Sequence, residues 1–310
     1  MIHKSSLIKG FILLMFMTLV MNESFAQQDP QYTQYMYNTM SVNPAYAGQR
    51  ETLSVTALYR TQWVGLDGAP KTITLGAHTP LRNERIGLGL SVISDQLGPA
   101  TETFVDANVS YTIPLNAMQT TKFSFGVKAG FHILDTDWSK GQFQYPDTAF
   151  QDDLSLFSPT IGAGAYLHSD KWYLGLSVPN FIETDHYDDF QESTSTEKMH
   201  FYVIGGYVFN VSDALKLKPA FLMKAVSGAP LIADVSANAL IRDKFTLGVA
   251  WRWDDSVSAL AGFQVSDSIY IGYAYDMTTT GIKNYSNGSH EIMLRFEVQK
   301  LGKILSPRFF

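Results

Sequence analysis

Residues 123–133 read FSFGVKAGFHI, and they alternate without a break. Phe123, Phe125, Val127, Ala129, Phe131 and Ile133 share one face, while Ser124, Gly126, Lys128, Gly130 and His132 share the other. A period of two belongs to a β-strand, whose successive side chains point to opposite sides of the sheet. One face is wholly apolar, and the other carries a lysine, a histidine and glycines. The length matches the roughly 9 to 11 residues that a tilted strand needs to cross a bilayer.

The same alternation recurs on both sides of this stretch. Leu53, Val55, Ala57 and Tyr59 oppose Ser54, Thr56 and Arg60 near the start, and Ile292, Leu294, Phe296 and Val298 oppose Glu291, Arg295, Glu297 and Gln299 near the end. Fourteen segments can be drawn, at about 52–60, 71–79, 84–94, 102–113, 122–133, 158–167, 171–178, 198–209, 214–224, 231–241, 244–253, 256–265, 268–276 and 289–299. Turning Lys128 or Arg295 toward lipid would cost roughly 2–4 kcal/mol each at mid-bilayer depth. The charged face therefore looks inward, with His78 and His132 on it. The glycines share that face and leave room for whatever fills the interior. Trp138, Trp172, Trp251, Trp253, Tyr273 and Tyr275 lie towards strand ends, where aromatic girdles form.

Composition agrees with a wall of this kind. Charged residues are 17% of the chain, below the roughly 25% of a soluble domain. Aromatics reach 13%, while mean hydropathy is only -0.03, as when a polar interior averages out an apolar skin. A net charge of -6 leaves no basic patch for nucleic acid. There is no cysteine, which excludes disulfides, thiolate chemistry and a lipid-acylated cysteine.

Connection lengths sort by parity. Those after even-numbered segments are short, as at Pro80 to Asn83, His168 to Asp170 and Arg242-Asp243. Those after odd-numbered segments are mostly longer, including Leu134 to Phe157, Pro179 to Glu197 and Met277 to Gly288, with Asp254-Asp255 as the exception. Outer-membrane barrels have tight periplasmic turns and long external loops. The sequence thus predicts an all-β, transmembrane, antiparallel up-and-down barrel of about 14 strands over residues 51–299, with both termini in the periplasm.

At the amino end, Lys4 and Lys9 precede an apolar run from Phe11 to Met21, followed by Ser24-Phe25-Ala26. This is the pattern of a secretory signal peptide over 1–26, cleaved after Ala26. The run is too short to span a bilayer as a helix. Export to the outer membrane of a Gram-negative envelope follows. Next comes Asp29 to Gly48, DPQYTQYMYNTMSVNPAYAG, with neither strand nor helix period and too many aromatics for a disordered linker. It reads as a periplasmic or plug segment over 27–50, starting in the periplasm and folding into or under the lumen. There Tyr32, Tyr35, Tyr37, Asn43 and Tyr46 would find polar partners.

A search for chemistry finds little. The glycine runs at Gly87 and Gly162 lack phosphate-loop spacing. No histidine pair is spaced for zinc, and the Asp152-Asp153, Asp188-Asp189 and Asp254-Asp255 pairs lack the spacing of a calcium loop. Ser289 and His290 are neighbours on a strand and point to opposite faces, so they make no nucleophile dyad. The reading is of a protein that is not an enzyme, with no cofactor, metal or small-molecule substrate required.

Three passages, DPQYTQYMYNTMSVNPAYAG, YRTQWVGLDGAPKTITLGAHTPL and GLGLSVISDQLGP, resemble the PorP/SprF family of outer-membrane proteins of the type IX secretion and gliding machinery. So does the ending, SHEIMLRF and then Ser306-Pro307-Arg308-Phe309-Phe310. The resemblance implies a component that works with periplasmic ring proteins and assists export or surface attachment of a large adhesin-type cargo. Trp63 and Asp67 in the first external loop, and Phe143, Tyr145, Phe150, Phe181 and Tyr187 in the two longest loops, are the candidates for partner binding. Arg308 and Phe310 are candidates in a periplasmic tail over 300–310. The alternative reading is an outer-membrane pore or transporter for small or hydrophobic solutes, since a barrel this wide can enclose a lumen.

Overall fold

The structure is a computed structural model that describes residues 30–140, 153–182, 184–185, 196–227 and 229–298. The signal peptide, the 300–310 tail with Arg308 and Phe310, and the loop residues Phe143, Tyr145, Phe150 and Tyr187 lie outside the described residues.

The alternating segments form β1 (Ser54–Thr61), β2 (Lys71–Pro80), β3 (Ile86–Leu97), β4 (Ala100–Pro114), β5 (Thr121–Thr136), β6 (Leu154–Ser169) and β7 (Trp172–Val178). They continue as β8 in two pieces (His200–Tyr207 and Phe209–Ser212), β9 (Leu215–Val226), β10 (Ile232–Ile241), β11 (Phe245–Arg252), β12 (Ser256–Ser266), β13 (Ile269–Thr278) and β14 (Ser289–Glu297). Each pairs antiparallel with its neighbours in sequence. The two pieces of β8 both pair with β9, so the fifteen strand segments of the sheet make fourteen strands. β1 pairs with β14 from Ser54↔Glu297 to Thr61↔His290, which closes the sheet into a barrel without edges.

The faces fall as the charge argument requires. Ser54, Thr56 and Arg60 are buried, while Tyr59 across the pleat is 44% exposed. Arg295, His78 and His132 are likewise buried on the inner face, and Lys128 reaches Asp106 there at 3.1 Å. Leu90, Val127, Val249 and Ile292 stand on the outer face and are more than half exposed. Trp251 and Trp253 are exposed at the end of β11, in keeping with a girdle, whereas Tyr273 is exposed midway along β13 and does not stand at a strand end as its sequence position suggests.

Connections also sort by parity, with the tight β3–β4 and β11–β12 turns as the clear departures. β3 and β4 pair out to Leu97↔Ala100, so only Gly98 and Pro99 join them. Gly98 has φ 58, the left-handed first position that a two-residue hairpin assigns to glycine. What reads in sequence as a longer loop is strand plus a tight turn. β5 and β6 pair from Thr121↔Ser169 to Thr136↔Leu154, which shortens the next connection to 137–153. Below, the rim carrying the connections after odd strands is the long-connection rim, and the other is the short-turn rim.

Tyr35, Met36, Tyr37, Met40, Val42, Ala45, Tyr46 and Ala47 form one buried cluster with inward residues that include Tyr166, Tyr173, Tyr202, Leu222, Tyr270 and Met293.

Candidate functional site

Residues 30–50 have no periodicity because no strand or long helix organises them. Two single 3-10 turns do, at Thr39–Ser41 and Pro44–Tyr46. Asn43 caps the second turn, its side-chain oxygen accepting from the backbone N–H of Ala45 at 2.9 Å, and Pro44 presets the first turn position. The Asn43 amide nitrogen then donates to the carbonyl of Ala165 on β6 at 3.0 Å. Such a segment depends on outside partners for its remaining polar groups.

The wall supplies them in three charged groups. Glu291 accepts the backbone N–H of Thr33 and of Gln34, one on each carboxylate oxygen, at 2.9 Å each. Arg60 binds the same carboxylate at 3.2 Å and Asp276 at 2.7 Å, and the Thr33 hydroxyl donates to Asp276 at 2.8 Å. A second group joins Arg50 to Glu297, with the Gly48 N–H donating to His78 Nδ1 at 3.1 Å beside it. In the third, Arg252 pairs with Asp234 at 3.0 Å and donates to the carbonyl of Tyr32 at 3.3 Å. Charges buried this deeply persist only when paired and hydrogen-bonded, and these are.

Cations also lie over rings of the same cluster. The Lys218 ammonium is 4.5 Å from the Tyr37 ring centre, and the Arg295 guanidinium is 4.8 Å from that of Tyr270. Such contacts strengthen when desolvated.

The inward glycines are where the segment comes closest to the wall. A Cβ on Gly87 would lie 2.0 Å from the carbonyl oxygen of Ala47, and one on Gly126 would lie 2.4 Å from the nitrogen of Ala45. Both obstacles are backbone, so neither can swing aside. The inner-face glycines of β3 and β5 thus match the path of residues 45–47.

The model of a family described as type IX secretion system membrane protein PorP/SprF matches residues 24–296. The chain belongs to the PorP/SprF family. Among curated proteins, none matches. Of the solved structures, the toluene transporter TbuX of Ralstonia pickettii is similar at 10% identity and TM-score 0.52, with 85% of this chain and 93% of that one covered. The monoaromatic hydrocarbon channel CymD is similar at 13% identity and TM-score 0.50, with the same shares covered. At these identities the likeness is of fold alone.

PorP/SprF membership and the closed barrel place this protein in the outer membrane. All five interior candidates are brought together: Tyr32, Tyr35, Tyr37, Asn43 and Tyr46 are buried. Tyr32 meets Thr74 on β2 at 2.9 Å and Tyr35 meets Ser236 on β10 at 3.4 Å. Tyr46 packs edge-on to His78 and Tyr166. The described partner-binding candidates stay apart from these. Trp63 is half-buried in the β1–β2 connection with φ 44, its N–H donating to Ser289. Asp67 is exposed in the same connection, on a cleft of about 390 Å³ that Lys71, Gln96 and Lys140 help to line. Phe181 is 45% exposed.

Sequence reading missed the residues that tie the segment down, namely Arg50, Arg60, Asp234, Arg252, Asp276, Glu291 and Glu297. A signal existed, because each of the wall residues is a charge on a face where the pleat forces burial.

Proposed function

We propose that this PorP/SprF protein is a plugged, non-catalytic barrel. It assists export or surface attachment of a large adhesin-type cargo through its long-connection rim and contacts the periplasmic ring of the type IX machinery. One observation carries the first half of this reading: residues 32–50, Ser41 apart, are buried and bonded to inward groups on strands all round the wall. A lumen filled by so many charge-assisted contacts is suited to a fixed scaffold. The family's description as a type IX secretion system membrane protein supports partners from that system.

Crosslinking of intact cells of the native host, followed by mass identification, tests the partners. Recovery of type IX ring proteins together with one large surface protein is expected, and loss of the surface protein when residues 141–152 and 186–195 are deleted. Unchanged cargo display from a barrel that still folds without those loops would reject the cargo role.

The second reading is a transporter of small or hydrophobic solutes. The likeness of the wall to TbuX and CymD favours it. A steady open pore in the intact protein would make it the better account.

A further inference from the structure

Contacts of the plug segment descend the wall in order. Tyr32 and Thr33 meet Thr74, Arg252, Asp276 and Glu291, all towards the ends of strands β2, β11, β13 and β14 that carry the long connections. Val42 and Asn43 then meet Ser177 and Ala165, five and four residues from the short-turn ends of β7 and β6. Gly48, Gln49, Arg50 and Thr52 meet His78, Thr112, Glu297 and Val298, at the short-turn rim. On β14 alone, the first contact is Glu291 and the last is Glu297. Six residues of strand separate them, about 20 Å at 3.3 Å per residue.

We infer that the chain is threaded through its own barrel, residues 30–50 running from the long-connection rim on the cell surface to the short-turn rim. Parity counting places only the start of β1, at the short-turn rim. The preceding twenty or so residues cross the wall in the opposite sense. Connectivity leaves no other route: from Pro30 back to Gln28 is two Cα steps, at most about 7 Å, too short a span to regain the opposite rim. The barrel must also close around a segment already led through it. This inference rests on the plug reading and on the long connections being external.

The chain has no cysteine, so single-cysteine variants carry no background. A membrane-impermeant maleimide is applied to cells before and after outer-membrane permeabilisation. Controls are Tyr285→Cys, 74% exposed beyond β13, and Met118→Cys, 81% exposed in the β4–β5 turn. Gln28→Cys is expected to label before permeabilisation, to the same extent as Tyr285→Cys, while Met118→Cys labels only afterwards. Labelling of Gln28→Cys only together with Met118→Cys overturns the threading. Exchange of the two controls overturns the surface placement. Thr33→Cys, buried in the wall contacts, is expected to stay unlabelled throughout. Its labelling would overturn the plug reading separately, since that variant reports seating and Gln28→Cys reports direction.

Discussion

Glu291 accepts the backbone N–H of Thr33 at 2.9 Å, across 258 residues of sequence. Its other carboxylate oxygen takes the N–H of Gln34, and Arg60 completes the group. Glu291→Ala would strand two backbone donors and remove one of the two carboxylates that neutralise Arg60. Breaking a buried pair by deleting one partner costs about 3–5 kcal/mol, and a loss of that size is expected in urea unfolding of the reconstituted barrel. Glu291→Gln keeps one acceptor oxygen and should lose clearly less. Equal stability of wild type and Glu291→Ala would show that the segment does not draw on this carboxylate.

Gly87→Ala provides an independent check, because it adds a methyl group without touching any charge. The new Cβ would meet the Ala47 carbonyl at 2.0 Å, so wall or segment must move. Overpacking of this kind costs typically 1–3 kcal/mol. Gly281→Ala is the control: a Cβ there meets nothing within 4 Å, and its effect should stay within about 0.5 kcal/mol. Thermal unfolding followed by the heat-modifiable gel mobility of the barrel would compare the two. A neutral Gly87→Ala would contradict the close approach of Ala47.

How much of this was legible in the sequence depends on the range of the signal. Alternation is local, so the strands could be drawn within a few residues, and the cost of a lipid-facing Lys128 or Arg295 settled the faces. Pairing beside a tight turn is less local, so residues 95–97 and 100–101, which flank Gly98-Pro99 as strand, fall outside the segments drawn at 84–94 and 102–113. Val208 interrupts β8: its N–H turns to the carbonyl of Lys171 at 2.6 Å, outside the β9 ladder. The Glu291–Thr33 bond was beyond reach, since it exists only once β14 has closed on β1. The direction inferred above for residues 30–50 lies beyond the same reach. Parity speaks for strands, and this segment contains none.

Lipid-face substitutions should follow depth. Val249 is 61% exposed on the outer face in the middle of β11, and Trp253 stands just past its end. An arginine at the bilayer midplane of a barrel costs about 2–4 kcal/mol, falling to about 0–1 near the interface. Val249→Arg is therefore expected to destabilise the barrel in liposomes by the larger amount, and Trp253→Arg by the smaller. Similar losses at both sites would mean that β11 does not cross the bilayer as placed.

Planar-bilayer recording separates the plugged scaffold from the transporter. A 14-stranded wall is wider than the eight-stranded kind that side chains alone can fill, so the state of residues 30–50 decides conduction. The intact protein is expected to be silent, and deletion of residues 31–47 to give discrete open steps. That deletion also removes Tyr35, Tyr37 and Tyr46 from the interior cluster, so a gentler variant is needed alongside it. Glu291→Gln combined with Glu297→Gln weakens the ties near both rims while keeping every plug residue, and intermittent openings are expected from it. Steady conductance from the intact protein would reject the plug and favour transport. Silence from a folded 31–47 deletion would mean that something other than this segment seals the lumen.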